Sequence, residues 1–263
     1  MTKLYIGIGG WTYEPWRDGV FYPVKLSQKR ELEYAASKVT SIEINGTYYG
    51  AQKPESFRKW HDETPAGFTF AVKGTRYATN RKDLSASKES VERFLASGIT
   101  ELKGKLGPIN WQFMATKKFD PTDFENFFKL LPPELDGVRL RHAVEVRNES
   151  FQDPRFIDLC RRYNVAVITA ADSEFPQIGD QTADYAYVRI MGAREDEAKG
   201  YSDTELTTRA GWIKSLASGQ VPEDIAVVEG RKASARDVFF YVISGHKAHN
   251  PAAAMDLIER TKG

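Results

Sequence analysis

Seven polar or ionisable residues interrupt short runs that otherwise read as buried strands. They are Glu43 and Asn45 in TSIEIN (40–45), Lys73 in FTFAVK (68–73), Gln112 in GPINWQF (107–113), Glu145 and Arg147 in HAVEVR (142–147), and Arg189 in YAYVRIM (185–191). Two carboxylates can divide acid and base work when their surroundings differ. An amine can pair with a carboxylate, bind an anion or, when desolvated, form a Schiff base. Arg147 and Arg189 can grip carboxylate or phosphate oxygens through two bonds each, and Asn45 and Gln112 can orient hydroxyls. The set points to a catalytic group of Glu43, Glu145 and Lys73 acting on a small anionic, polyhydroxylated compound such as a sugar phosphate or sugar acid, with proton transfer by the two glutamates and the anion bound by Lys73, Arg147 and Arg189. The bland alternative is a self-paired network in which each carboxylate anchors an arginine. Burying such groups costs several kcal/mol per ion unless the geometry is excellent, which argues for a functional reason to keep them.

The elements that must position these residues follow from periodicity. Eight strands are expected: 4–9, 40–45, 68–73, 107–113, 142–147, 165–170, 185–191 and 238–244. Helical patterns lie between most of them: 27–38 starting at Ser27, 85–98 ending at Gly98, 120–131, 203–219, and 250–262 with Asn250 as N-cap and Pro251 at N1. The segment between the strands near 170 and 185 lacks a helical pattern and is expected to be irregular. Side chains alternate along a strand, so Ile42 and Ile44 oppose Ser41, Glu43 and Asn45, while Val144 and Val146 oppose Ala143, Glu145 and Arg147. Parallel strands covered on both faces should be apolar throughout, so an open doubly wound sheet fits poorly. A closed α/β barrel of (β/α)8 type, a TIM barrel spanning residues 1–263 as one domain, fits well. Its apolar faces meet the helices and the other parity points inward. The polar residues come late in their strands and gather at the carboxyl end, where barrel enzymes carry their sites.

Further candidates lie in loops. Trp11, Tyr13 and Tyr48 follow strand ends and are expected as an aromatic wall, against the alternative of loop packing. SGHKAHNP (244–251) leads from the last strand into a helix start, a common phosphate cradle in barrels, with His246 placed to assist.

Composition narrows the rest. The 263 residues are 41% apolar and 28% charged, with a formal net charge of +1. No global bias argues for nucleic acid or an anionic membrane. The one cysteine, Cys160, permits no intramolecular disulfide, which fits a reducing compartment. The N-terminal apolar run is too short for a signal peptide and no stretch approaches a membrane span, so a cytoplasmic location is expected. Metal-ligand spacings, a dinucleotide fingerprint, a P-loop and a nucleophile elbow are absent, so neither metal nor cofactor is expected. The expected partner is a small anionic molecule. Nucleic acid is a less favoured partner, and a non-catalytic sensor of an anionic metabolite is the third reading.

GGWTYEPWRDGVFYP (9–23), SIEINGTYYG (41–50), FTFAVKGTRYAT (68–79), LGPINWQF (106–113), AVEVRNESF (143–151) and TADYAYVRIMG (182–192) together resemble the motifs of domain-of-unknown-function family 72, the YecE-like family. The resemblance runs from residue 4 to about residue 192 and implies a TIM barrel but no assigned reaction. It places the family's site on Trp11, Tyr13, Glu43, Asn45, Tyr48, Lys73, Gln112, Glu145, Arg147 and Arg189. The chain departs from the family pattern at Asn80, Asn148 and Met191, where histidine is usual, and at Phe151, where tryptophan is usual.

Overall fold

The computed structural model describes residues 2–230 and 234–262. Eight strands are laid down in chain order: β1 Leu4–Gly9, β2 Ser41–Ile44, β3 Thr69–Lys73, β4 Leu106–Gln112, β5 Arg141–Glu145, β6 in two pieces Ala166–Val167 and Thr169–Ala171, β7 Tyr185–Ile190, and β8 Asp237–Val242. Each pairs in parallel with its neighbours, and β8 pairs with β1. The first piece of β6 pairs with β5 and the second with β7. The ring closes at Ile168 between them, whose N–H donates to the Val144 carbonyl at 2.9 Å. A closed barrel leaves no exposed strand edge, which removes the usual aggregation hazard of a sheet.

Helices α1 Glu31–Ala36, α2 Pro54–Asp62, α3 Arg76–Thr79, α4 Lys88–Leu95, α5 Pro121–Lys129, α6 Pro154–Arg162, α7 Asp203–Ser218 and α8 Asn250–Thr261 surround it. Local chemistry explains their ends. Asp120 and Asp153 cap α5 and α6 ahead of a proline, accepting from Asp123 N–H at 2.9 Å and Arg155 N–H at 2.8 Å. Ser202 and Glu205 form a capping box on α7, and Gly219 ends it at φ 87, a left-handed backbone that glycine adopts without strain.

Three expected helix starts come out differently. The pattern at 27–38 becomes a 3-10 turn, Gln28–Arg30, running into α1, and the Ser27 side chain makes no cap bond. The pattern at 85–98 opens as a 3-10 turn, Leu84–Ser87, before α4, and Gly98 at φ 99 lies beyond the cap residue Ala96. At α8 the turn Lys247–His249 runs straight into the helix, so His249 takes the cap position and Asn250 becomes the first helical residue. Between β6 and β7, residues 172–184 form no helix, as the sequence suggested.

Two cores result. Outward strand residues such as Ile6, Ile42, Phe70, Val144 and Val188 pack against the helices. Inside the ring a second cluster holds Tyr5, Ala71, Ala143, Ala166, Ile168, Tyr185, Tyr187, Phe239 and Tyr241. Gly7 also faces inward, where a Cβ would overlap the Ser41 carbonyl, so only glycine lets β1 and β2 approach there. Strand β4 breaks the simple alternation. Its register against β3 shifts between Phe70 and Val72, and Gly107 turns inward below the bulge while Asn110 and Gln112 are inward above it. Among the described residues no helix is long and apolar enough to cross a membrane.

Candidate functional site

The inward residues at the carboxyl ends of β2, β4, β5 and β7 meet in one bonded cluster, and Lys73 at the end of β3 lies beside it. Arg189 lies at its centre, donating from Nη2 to Glu43 Oε1 at 3.0 Å and from Nη1 to Glu145 Oε2. Both glutamates are fully buried. The second oxygen of Glu43 accepts the Tyr187 hydroxyl. The second oxygen of Glu145 accepts Arg147 Nε at 2.7 Å, and Arg147 Nη2 donates to Gln112 Oε1 at 2.9 Å. Arg147 is the more open guanidinium, its side chain 22% exposed against 3% for Arg189. Its other face lies 4.2 Å from the ring centre of Phe175, a residue of the irregular 172–184 connection.

Lys73 stands apart. It is buried at the end of β3, with Nζ 4.5 Å from the centre of the Tyr48 ring. Its main chain is anchored by Thr47, whose Oγ1 donates to the Lys73 carbonyl at 2.6 Å. Burial lowers the Lys73 ammonium to about 8; Arg189 and, less strongly, Arg147 add to this, and Glu43 and Glu145 oppose it. For Glu145, burial alone would raise the carboxyl, but Arg189, Arg147 and Lys73 outweigh it and hold the group below its ordinary value. Burial lifts the Tyr187 hydroxyl well above its usual range, and the Glu43 charge lifts it further. At neutral pH the cluster therefore holds an ionised Glu145, a neutral Tyr187 and an amine close to its titration point.

Of the residues singled out in the sequence, Glu43, Lys73, Gln112, Glu145, Arg147 and Arg189 are brought together. Asn45 follows β2 and turns its amide back to the Glu43 carbonyl at 3.3 Å. Tyr48 lies over Lys73. Trp11 does not join an aromatic wall: its ring packs edge-on against Trp60 of α2 and Phe70 on the outer face of β3, at 5.2 and 6.3 Å. The indole is partly buried in that packing. Tyr13 likewise packs on Trp16 at 5.4 Å, with Lys247 Nζ 4.6 Å from its ring centre. His246 sits in the loop after β8, its ring 4.5 Å from that of His249 and outside the charged cluster. Two participants were not singled out beforehand. Tyr187 shares the inward parity of Arg189, which could have marked it. Phe175 lies in a segment without periodicity and carried no signal.

Among the described residues no three His, Cys, Asp or Glu side chains gather as metal ligands. A family model described as "Protein of unknown function DUF72" matches residues 5–263. The chain belongs to the DUF72 family. It is 26% identical over 219 residues to UPF0759 protein YunF of Bacillus subtilis, covering 80% of this chain and 73% of that one. It is 29% identical over 143 residues to UPF0759 protein YecE of Escherichia coli K12, covering 53% of this chain and 48% of YecE. The crystal structure of a DUF72 family protein from Thermotoga maritima superposes with a TM-score of 0.76 at 22% identity, covering 99% of this chain and all of the other, a likeness of fold.

In this DUF72 protein one departure from the family pattern, Asn148, serves local structure through its side chain, while the bonds of Asn80 and Met191 are main-chain ones that any residue but proline would make and nothing in the structure explains those two. Asn148 caps a turn, accepting from Ser150 N–H at 3.1 Å and donating to the Ala115 carbonyl at 2.7 Å. Asn80 closes the single turn α3, its N–H donating to the Arg76 carbonyl at 2.8 Å. Met191 follows β7 and extends its ladder, donating to the Ala171 carbonyl at 3.2 Å.

Proposed function

We propose that the barrel mouth binds a small anionic, polyhydroxylated compound, such as a sugar phosphate or sugar acid, and catalyses proton transfer on it. The observation that carries this reading is the convergence of three cations on two carboxylates at the carboxyl end of the barrel. With both glutamates committed to Arg189, the more open guanidinium of Arg147, which already shares Glu145 and Gln112, and the unbonded amine of Lys73 are the cations placed to receive further negative charge. An ionised Glu145 is a proton acceptor, and Lys73, titrating near neutrality, can donate or accept. Arg189 serves to keep Glu145 charged. A cleft of about 360 Å³ lined by Thr47, Thr75, Arg81, Glu89 and Arg93 among others is a separate feature, with none of Lys73, Glu145, Arg147 or Arg189 in its lining.

The test is a calorimetric and thermal-shift screen of sugar phosphates and sugar acids, followed by product detection by NMR. A ligand whose binding is weakened at least about tenfold by Arg147→Gln supports the reading. Product lost in Glu145→Gln makes it an enzyme, while tight binding without product makes it a sensor. Equal binding by the wild type and the Arg147 variant refutes it.

A second reading, a nucleic-acid-binding barrel, is favoured by one feature. Tyr49 and Tyr77 are 63% and 57% exposed, and the Arg76 guanidinium lies within 5.6 and 5.4 Å of their ring centres. Exposed aromatics with an arginine can stack on single-stranded bases. Salt-dependent binding of labelled single-stranded DNA, lost in Tyr77→Ala, would support it.

A further inference from the structure

Lys73 differs from the other charged side chains of the cluster in its bonding. Arg189 holds both glutamates, and Arg147 holds Glu145 and Gln112. Among the described residues Lys73 Nζ makes no hydrogen bond or ion pair, and the face of Tyr48 is its close neighbour. In register with it on β4 is Asn110, on the same lumen side and fully buried, with neither amide atom bonded. Asn110 is in turn level with Ala143 on β5, and Glu43 with Gly9 and Ala71. An ammonium this buried and this poorly bonded is costly to keep. As a free amine the same group is a nucleophile, and desolvation beside a second cation is a known way to produce one. The charged groups that face it are Arg189 and Arg147, which favour the neutral amine, and Glu43 and Glu145, which oppose it.

We propose that Lys73 is a carbonyl-capturing amine. Its Nζ condenses with the aldehyde or keto group of a small anionic substrate whose carboxylate or phosphate is held by Arg147, and Asn110 hydrogen-bonds the departing oxygen. This rests on the anion-binding reading of the mouth and adds the carbonyl group to the substrate class. The Nζ lone pair forms a bond to the carbonyl carbon, and the π electrons move to oxygen, which takes a proton from the nitrogen. The oxygen then takes the second amine proton and leaves as water while the nitrogen lone pair forms the C=N bond. Amine plus carbonyl thus gives imine plus water, with no oxidant or reductant.

The experiment uses glyoxylate, a small anionic aldehyde, with cyanoborohydride at pH 8 and peptide mass analysis of the intact protein after reaction. The expected result is a carboxymethyl group on the peptide carrying Lys73, absent from Lys73→Arg. It should form more than about tenfold faster than on exposed lysines such as Lys53 and Lys88, since an ordinary lysine is almost wholly protonated at pH 8. Arg147→Gln should slow capture of glyoxylate but not of propionaldehyde, which carries no charge. Lys73 labelling no faster than that of the exposed lysines overturns the proposal, and this comparison within the wild type holds even if Lys73→Arg folds poorly. The two readings fail separately. A thermal shift by glyoxylate that requires Arg147, without a Lys73 adduct, keeps the anion site and removes carbonyl capture. Rapid capture of both aldehydes, indifferent to Arg147→Gln, keeps the amine and removes the anion site.

Discussion

At the amino-terminal end of the lumen, Tyr5 stacks on Phe239 at 4.5 Å and Tyr185 meets the same ring edge-on at 5.8 Å. At the carboxyl end the same inward parity carries Lys73, Gln112, Glu145, Arg147 and Arg189. The aromatic end closes its polar tips through neutral bonds between strands: the Tyr185 hydroxyl donates to the His142 carbonyl at 2.6 Å, and Tyr241 shares a 2.7 Å bond with Ser41. Burial of ring surface supplies the stabilisation there. The charged end closes through Arg189, which ties β2 and β5 to β7 across the lumen. The difference teaches that one end is a plug and the other a balanced set of ions whose removal one at a time is expensive.

The sharpest way to break that contrast is to remove the central guanidinium. Arg189→Leu would leave Glu43 and Glu145 buried without their shared partner, and we expect a loss of about 3–5 kcal/mol at pH 7 in urea unfolding. That loss should shrink in acid as Glu145, held ionised in the wild type by Arg189, protonates. Phe239→Ala at the aromatic end should lose a similar amount, about 3–5 kcal/mol, with no such pH dependence between pH 5 and 8. Matching pH profiles for the two variants would erase the distinction.

The next effect concerns Lys73. Burial and Arg189 hold it at about 8 in the fold, against about 10.4 in an unfolded chain. Between those values the unfolded state binds more protons, so stability attributable to Lys73 rises with pH across that window. The penalty of the buried ammonium is fully present below pH 8 and is relieved towards pH 10. Wild type should therefore gain on Lys73→Met between pH 8 and 10, by up to about 3 kcal/mol, in urea midpoints measured at each pH. A difference that stays flat would mean the amine is solvated in the native state.

The smallest effect compares two tyrosines. Tyr187→Phe takes a donor from the charged Glu43 and should cost about 1.5–3 kcal/mol, whereas Tyr241→Phe breaks a neutral bond to Ser41 and should cost about 0.5–1.5 kcal/mol. Equal losses would show that the boundary between the two ends is not electrostatic.

The alternation of β1, β2, β3, β5 and β7 was legible before any coordinates, because a strand must turn successive side chains to opposite faces. Glu43, Lys73, Glu145, Arg147 and Arg189 could thus be assigned inward from spacing alone. Helices α2, α3 and α6 are not among the expected ones: α2 buries only Phe57 and α3 is a single turn, whereas α6 has Asp153 as cap, Pro154 at its start and Phe156, Ile157, Leu159 and Cys160 buried, a signal the sequence did carry. Trp11 and Tyr13 could not be placed, because a loop residue has no periodicity and packs where neighbouring elements leave room. The β4 bulge, which turns Gly107 inward, is likewise set by register with β3 rather than by local pattern.

By itself, then, the amino-acid order determined which side chains enter the lumen and at which end, since covalent geometry imposes the period of two. Only ring closure decided that Arg189 takes both glutamates, that Arg147 takes Glu145 and Gln112, and that Lys73 is left over. Those pairings join strands far apart in the chain, and their distances depend on the stagger of a closed sheet that no local stretch encodes.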